Sequence, residues 1–567
     1  MRAVLRVRAR RGDVRSCRLV IQGKGAFPMQ PLFQTRLYTF FQATVPVVPE
    51  GLSYVFEVET AKKVIHLFKH GVADTRPVTG HFTLRPDAPE AYAEPPDWVR
   101  DAVFYQIFPE RFHNGDRGND PPGALAWGQA PSADTFFGGD LKGILDRLDY
   151  LHDLGVNALY LNPIFDAAST HKYDTRDYLK VDPAFGDVGL LRDLVSACHE
   201  KGIRLILDGV FNHTGTPFFA FKDLLAEQES SPYKDWYFVH SYPVRMDPAN
   251  YEAWWGISSL PKLNTANLET REYLLNVATH WIREAAIDGW RLDVPDEIPH
   301  DFWKEFRKRV RTTSSDAFVV GEVWFDGTSW LQGDQFDSVM NYRLRTHILD
   351  FFVYRRIQAG TFDRRVQEDF LDYRASVSHA LLNLLGSHDT ERILTLAKTD
   401  RVRVLSAFNF LFAFPGVPMV YYGDEVGLEG GKDPDCRRCM EWDPASQDRS
   451  LHSHIRNLIH LRRKIPALRR GDWVPLGSES KKGLVAYARC LQGQWVVAVF
   501  HNGPGTVTWS LPLRTPGAVG AGFKGPEKAP AGKPTEIIGS AAPKKERGFL
   551  HVTLEPWSSA WILLEDS

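Results

Sequence analysis

Eight short apolar runs recur between Asp101 and about residue 425, separated by segments of helical periodicity: AVFYQIFP, VNALYLNPIF, IRLILDGVFNH, GWRLDV, FVVGEVW, FDSVMNY, LLNLLGSHDT and VPMVYYGDE. Parallel strands need long crossovers, and a helix in each crossover covers the outer face of the sheet it leaves. Eight such units predict an α/β fold closed into a (β/α)8, or TIM, barrel. One interval is too long for an ordinary loop. Nearly sixty residues rich in aromatics and proline lie between His213 and the helix near Glu269. An inserted subdomain at about 214–262, after the third strand and over the barrel mouth, is therefore expected.

The texture changes on either side. Residues 1–95 carry runs such as RLYTFFQATVPVV and LSYVFEVET, which predict an N-terminal β-sandwich that ends in the acidic, proline-rich RPDAPEAYAEPPDW. The barrel takes residues 96–470. From 471 to 567 the strand-like GLVAYARC, QWVVAVFHN, TVTWSLPL and SSAWILLE predict a C-terminal β-sandwich. Within it, residues 514–548 are dominated by Gly, Ala, Pro and Lys. Too few large apolar side chains are there to offset the entropy of ordering, so a mobile hairpin excursion is expected.

Lys and Arg total 68 against 70 for Asp and Glu, a formal charge of -2. That balance supplies no field for drawing in polyanions, which argues against a nucleic-acid partner. No run approaches the ~20 apolar residues of a membrane span, and the basic start leads into no signal-peptide core. A soluble cytoplasmic protein without membrane attachment is the expectation. Five cysteines, an odd number, suit a reducing compartment. Cys436 and Cys439 form one CxxC that lacks the further ligands a zinc site needs.

Charged residues stand where the apolar runs end. In DGWRLDVPDE, Arg291 and Asp293 occupy alternate positions of a strand otherwise built from Trp290, Leu292 and Val294. Asp208 and His213 end the third run, Glu322 the fifth, and His388 with Asp389 the seventh. Any one of these would suit an ion pair closing the barrel. Together they place several costly charges at the C-terminal strand ends, where such barrels carry out their chemistry. Three carboxylates without a thiol nucleophile, phosphate loop or dinucleotide fingerprint favour acid/base chemistry on a neutral substrate, with glycoside hydrolysis the leading fit. A retaining glycosidase needs one ionised carboxylate and one protonated carboxyl roughly 5 Å apart. Arg291 should hold Asp293 ionised, making it the nucleophile candidate. The apolar Val323 and Trp324 should keep Glu322 neutral, making it the acid/base candidate.

DGVFNH, GWRLDV, GEVW and LLGSHDT, in this order and spacing, resemble the four signature regions of the α-amylase family, glycoside hydrolase family 13. The resemblance implies Asp293 as nucleophile, Glu322 as acid/base and Asp389 as the third catalytic carboxylate. It implies that Tyr173, His213, Arg291 and His388 hold the sugar being cleaved. LPKLN, HKYDTRDYLKVDPAFGD, WLQGDQFDSVMNY and DPDCRRCMEWD further resemble the cyclomaltodextrinase, maltogenic amylase and neopullulanase subgroup. In that subgroup Asp433 and Arg437 would meet the next sugar on the non-reducing side, and Trp324 and Glu297 the leaving-group side. VPDE departs from the subgroup's VANE, and Phe325 stands where a His is common.

The implied activity is retaining hydrolysis of α-1,4 bonds in cyclomaltodextrins and maltodextrins through a covalent glycosyl-enzyme, extending to pullulan and transglycosylation. The alternatives are a maltodextrin glucosidase or a transfer-dominated enzyme on the same fold. A non-catalytic glycan-binding member is disfavoured because all three carboxylates are present. Implied partners are α-glucan oligosaccharides, cyclodextrins and a second copy of the chain, paired through the glycan-binding-like N-terminal module. HNGDRGNDP is, by spacing alone, equally a polar turn or a wrap for a hard cation. The resemblance implies a structural calcium held by Asn114, Asp116, Asn119, Asp120, Gly138 and Asp140.

Overall fold

All eight apolar runs form parallel strands: β1 (Phe104–Ile107), β2 (Ala158–Leu161), β3 (Arg204–Gly209), β4 (Gly289–Leu292), β5 (Phe318–Gly321), β6 (Ser338–Val339), β7 (Leu382–Leu384) and β8 (Val417–Tyr421). The structure, a computed structural model, describes residues 2–34, 38–84, 94–513 and 529–566. The strands pair in the order β6-β5-β4-β3-β2-β1-β8-β7. A parallel bridge from Met340 to Leu382, with Asn341 N–H donating to the Leu382 carbonyl at 2.8 Å, joins the two ends and closes the barrel.

Period-2 alternation sorts the side chains into two cores. Phe104, Tyr160, Ile206, Val320 and Leu382 pack together inside the barrel. Their neighbours Tyr105, Leu161, Leu207, Trp290 and Val319 belong to the outer core shared with the surrounding helices. Helix Leu268–Ala285 begins where Asn267 accepts the N–H groups of Glu269 and Thr270, and it buries Trp281. Helix His300–Thr313, between β4 and β5, buries Trp303 and Phe306.

The interval after β3 contains helix Phe219–Glu227 followed by short turns. Bridges His213 to Lys262 and Tyr237 to Leu263 tie it to the barrel, and Ala253 to Pro261 closes it on itself. The N-terminal region is one antiparallel sheet of eight strands, not two separate layers. Strand Gly25–Gln34 causes this: it pairs with Val14–Ile21 through Gly25 to Met29 and with Tyr38–Pro46 from Gln30 onward, with a register shift at Pro31. The folded sheet encloses its own core, including Leu19, Phe41 and Phe56. It meets the barrel through an Arg8–Asp372 ion pair at 3.1 Å and through Phe40.

At the C-terminus a five-stranded and a three-stranded antiparallel sheet enclose a second core around Trp495, Leu550 and Ile562. The expected hairpin excursion at 514–548 is corrected in part. Thr535–Ile538 pairs with Ser559–Glu565, and Lys544–Glu546 pairs with Phe549–Leu554. Backbone hydrogen bonding to an existing strand orders these edges despite their composition; residues 514–528, like 85–93 of the linker, lie outside the described residues. Among the described residues no helix is long and apolar enough to cross a membrane. All five cysteines are buried free thiols.

Candidate active site

Strand register builds the site. Asp208 on β3 lies opposite Arg291 on β4. The ladder continues past the strand ends, with Asp293 N–H donating to the Gly209 carbonyl and Glu322 N–H to the Leu292 carbonyl, both at 3.0 Å. Alternation turns Arg291 and Asp293 to the same face while Trp290 and Leu292 face the helices. Val294, immediately after Asp293, has φ 42, a genuine strain for a β-branched residue. That bend lets its N–H donate to Glu322 Oε2 at 3.4 Å.

Arg291 is fully buried and is shared among three carboxylates. Its Nη1 lies 2.8 Å from Asp208 and 3.1 Å from Asp293, and its Nη2 lies 2.7 Å from Glu322. This corrects the expectation that the arginine keeps Asp293 ionised in preference to Glu322. Burial, with the neighbouring Glu322, Asp208 and Asp389, outweighs Arg291 and holds the Asp293 carboxyl well above the usual range. Burial likewise pushes Glu322 up to about 7, with Arg291 opposing and Asp389 and Asp208 reinforcing. One guanidinium cannot balance so many carboxylates, so the site retains a proton near neutral pH.

A polar chain fixes the floor. Asp208 accepts from Tyr160 at 2.6 Å and from Tyr173 at 2.9 Å. Gln106 donates to His388 Nδ1 at 2.9 Å, which leaves the proton on Nε2, 2.6 Å from the Tyr173 hydroxyl and 3.2 Å from Asp389. Burial pushes His388 well below its ordinary value, so it stays neutral. Tyr173 and His388 stack with rings 11° apart.

These groups open into a cleft of about 730 Å³. Of the sequence candidates, Tyr173, His213, Asp293, Glu297, Glu322, Trp324, His388, Asp389, Asp433 and Arg437 line it, and Arg291 lies beneath. Arg437 ties one wall together, reaching Asp433 at 3.0 Å and Asp389 at 3.1 Å. Opposite, Lys262 holds Glu297 at 2.7 Å. Trp324 stacks on Tyr342 at 3.6 Å and donates to Glu322 Oε1 at 3.2 Å. Burial lowers His213 to about 3, and its Nε2 has no partner.

Several lining residues escaped the sequence reading. His171 stands two residues before Tyr173 in HKYDTRDY and lines the cleft with it. Asp296 belongs to the departing VPDE. Trp254 and Trp255 are one aromatic pair among many in the insert, and only the exposure of Trp255 sets it apart from core residues. Lys172 is buried behind the wall and pairs with Asp182 at 2.7 Å, setting the turn that presents Tyr173.

The loop 114–140 contributes none of the residues that line the cleft. Asp140 gathers N–H groups from Gly115, Asp116 and Gly143 and the side-chain amide of Asn119, and Asn114 donates to Asp120 at 2.7 Å. The side-chain oxygens of Asn114 and Asn119 are buried without partners. A Cβ on Gly138 would fall 2.0 Å from Asp120 Oδ1, so only glycine permits that approach. Unsatisfied oxygens beside carboxylates fit a hard cation. Among the described residues no group of three or more His, Cys, Asp or Glu is drawn together as a metal site.

Residues 106–457, more than half of the chain, match the family model for alpha-amylase, catalytic domain. Over 488 residues the chain is 43% identical to a cyclomaltodextrinase of Thermoanaerobacter pseudethanolicus, covering 84% of each. It is 42% identical to neopullulanase 2 of Thermoactinomyces vulgaris over 511 residues, covering 88% of this chain and 87% of that one. A solved cyclomaltodextrinase structure superposes with a TM-score of 0.88 at 37% identity, over 99% of this chain and 96% of that one.

Proposed function

This chain belongs to the alpha-amylase family, in its cyclomaltodextrinase, neopullulanase and maltogenic amylase subgroup of glycoside hydrolases, and on that premise we propose how its cleft cleaves α-1,4-glucans, cyclodextrins and maltodextrins among them, with retention. The observation that carries the reading is the set of carboxylates around one buried arginine at the ends of β3, β4 and β5.

In the reactive form the proton shared by the two carboxyls sits on Glu322 and Asp293 is ionised; Asp293 then attacks the anomeric carbon as Glu322 delivers that proton to the departing oxygen. Glu322, then ionised, takes a proton from water, which opens the glycosyl-aspartate on the same face. Arg291 offsets the negative charge that shifts between the two. Asp389, braced by Arg437, together with His388 and the unpartnered His213 Nε2, binds ring hydroxyls and favours the oxocarbenium-like transition state. Tyr173 stacks on the same sugar. Asp433 and Arg437 bind the next unit on the non-reducing side, and Trp324 and Glu297 the leaving group.

Calcium would be held by the oxygens of Asn114, Asp116, Asn119, Asp120, Gly138 and Asp140. It would supply structural cross-linking of the loop after β1, away from the reacting atoms. Five buried thiols support a cytoplasmic setting. The N-terminal sheet, as in the subgroup's resemblance, is the surface for pairing with a second copy.

The test is proton NMR of fresh products from β-cyclodextrin, pullulan and maltotriose. The α-anomer must appear first, with β-cyclodextrin and maltotriose both opened. Initial release of the β-anomer refutes the mechanism. Glucose as the sole product from maltotriose, with β-cyclodextrin untouched, favours the glucosidase alternative.

A further inference from the structure

Trp255 is 81% exposed and has φ 50. Leaving a large apolar ring in water on a left-handed backbone forfeits burial and adds strain, so folding gives no reason for it. The turn that presents it is well built. Trp254 N–H bonds to the Leu260 carbonyl at 3.0 Å and Ile257 N–H to the Trp254 carbonyl at 2.9 Å. The Trp255 ring stacks on Trp254 at 4.9 Å and 15°, and Trp254 stacks on His213 at 5.6 Å and 26°. A ladder of flat rings thus rises from beside the catalytic carboxylates to the rim. Trp254 Nε1 is buried without a partner, a donor left over for an oxygen in the cleft. The neighbouring bridge from Ala253 to Pro261 leads into Lys262, which holds Glu297, so the ladder stands on the Glu297 side.

We infer that Trp255, seated on Trp254, is a stacking platform for a glucose unit of an α-glucan beyond those that the catalytic carboxylates and His213 reach, on the leaving-group side. This rests on the hydrolase reading above. A pyranose presents an apolar face of C–H groups to an exposed indole, and its hydroxyls suit the free Trp254 N–H. The platform would make affinity depend on chain length past the cleaved bond.

The experiment compares wild type, Trp255→Ala and Trp255→Phe on maltohexaose and on an aryl maltoside whose leaving group is a single ring. Trp255→Ala should lower kcat/KM on maltohexaose about 5- to 10-fold, the scale of one aromatic contact, with the loss in KM. The loss on the aryl maltoside should be much smaller, and Trp255→Phe should recover most of the affinity. Equal losses on both substrates, no loss on either, or no recovery with Phe would overturn the inference. So would a loss that tracks a change in oligomeric state by light scattering, because the indole would then serve contact between copies. A wild type inactive on both substrates would instead refute the hydrolase reading.

Discussion

Replacing Asp208 by Asn should move the alkaline limb of activity to lower pH. Glu322 must be protonated to act, so activity falls as pH rises through its value of about 7. Asp208 and Glu322 sit on opposite nitrogens of the Arg291 guanidinium, at 2.8 and 2.7 Å. Two carboxylates placed so are roughly 6 Å apart, and at an effective dielectric of ~20 their repulsion is about 3 kcal/mol, or about 2 pH units. Asn removes that repulsion and frees Arg291 to serve the Glu322 anion, and both effects lower the pH at which the proton leaves. Relaxation around the neutral side chain takes back part, leaving a shift of about 1 unit or more. The assay is kcat/KM on maltotriose from pH 5 to 9, with thermal melts to confirm that the variant is folded. A limb that stays in place or moves upward in a folded protein would refute the shared-arginine argument.

Asp293→Asn should lower turnover by at least about three orders of magnitude with ligand binding retained, since the strand keeps its shape and loses the attacking charge; calorimetry with β-cyclodextrin checks the binding. Glu322→Gln should be comparably damaging on maltotriose but far less so on a maltosyl donor with an acidic leaving group, which needs no proton; equal losses would remove Glu322 from the acid role. Chelation should lower Tm by about 3–5 °C while initial rates at mild temperature hold, if the Asn114 to Asp120 loop carries calcium; an unchanged melt with no calcium by elemental analysis answers against it. Deleting residues 1–95 should shift preference from β-cyclodextrin toward soluble starch and convert any dimer to monomer, read from the ratio of kcat/KM values and light scattering on the same samples; an unchanged ratio with both forms monomeric would leave the module no part in selection.

Much of this protein is local in origin and was therefore legible in one dimension. Strand alternation is a property of neighbouring residues, so all eight barrel strands and the charges at their ends could be located from GWRLDV, DGVFNH, GEVW and their companions. The cleft candidates followed because barrel chemistry gathers at the C-terminal strand ends. Relations between strands were another matter. Arg291 neighbours Asp293 in sequence, but its contacts with Asp208 and Glu322 depend on the register of β3, β4 and β5. Composition gave no sign that 535–538 and 544–546 would find partners, because their order comes from strands already in place. Nor could sequence separate Trp255 from the buried Trp281, Trp290 and Trp303, since an indole becomes core or platform according to what packs over it. Sequence fixes which groups a strand presents, through bond geometry between near neighbours. Tertiary packing alone decides which of them share a charge, a proton or solvent, because those energies depend on distances that only the closed barrel sets.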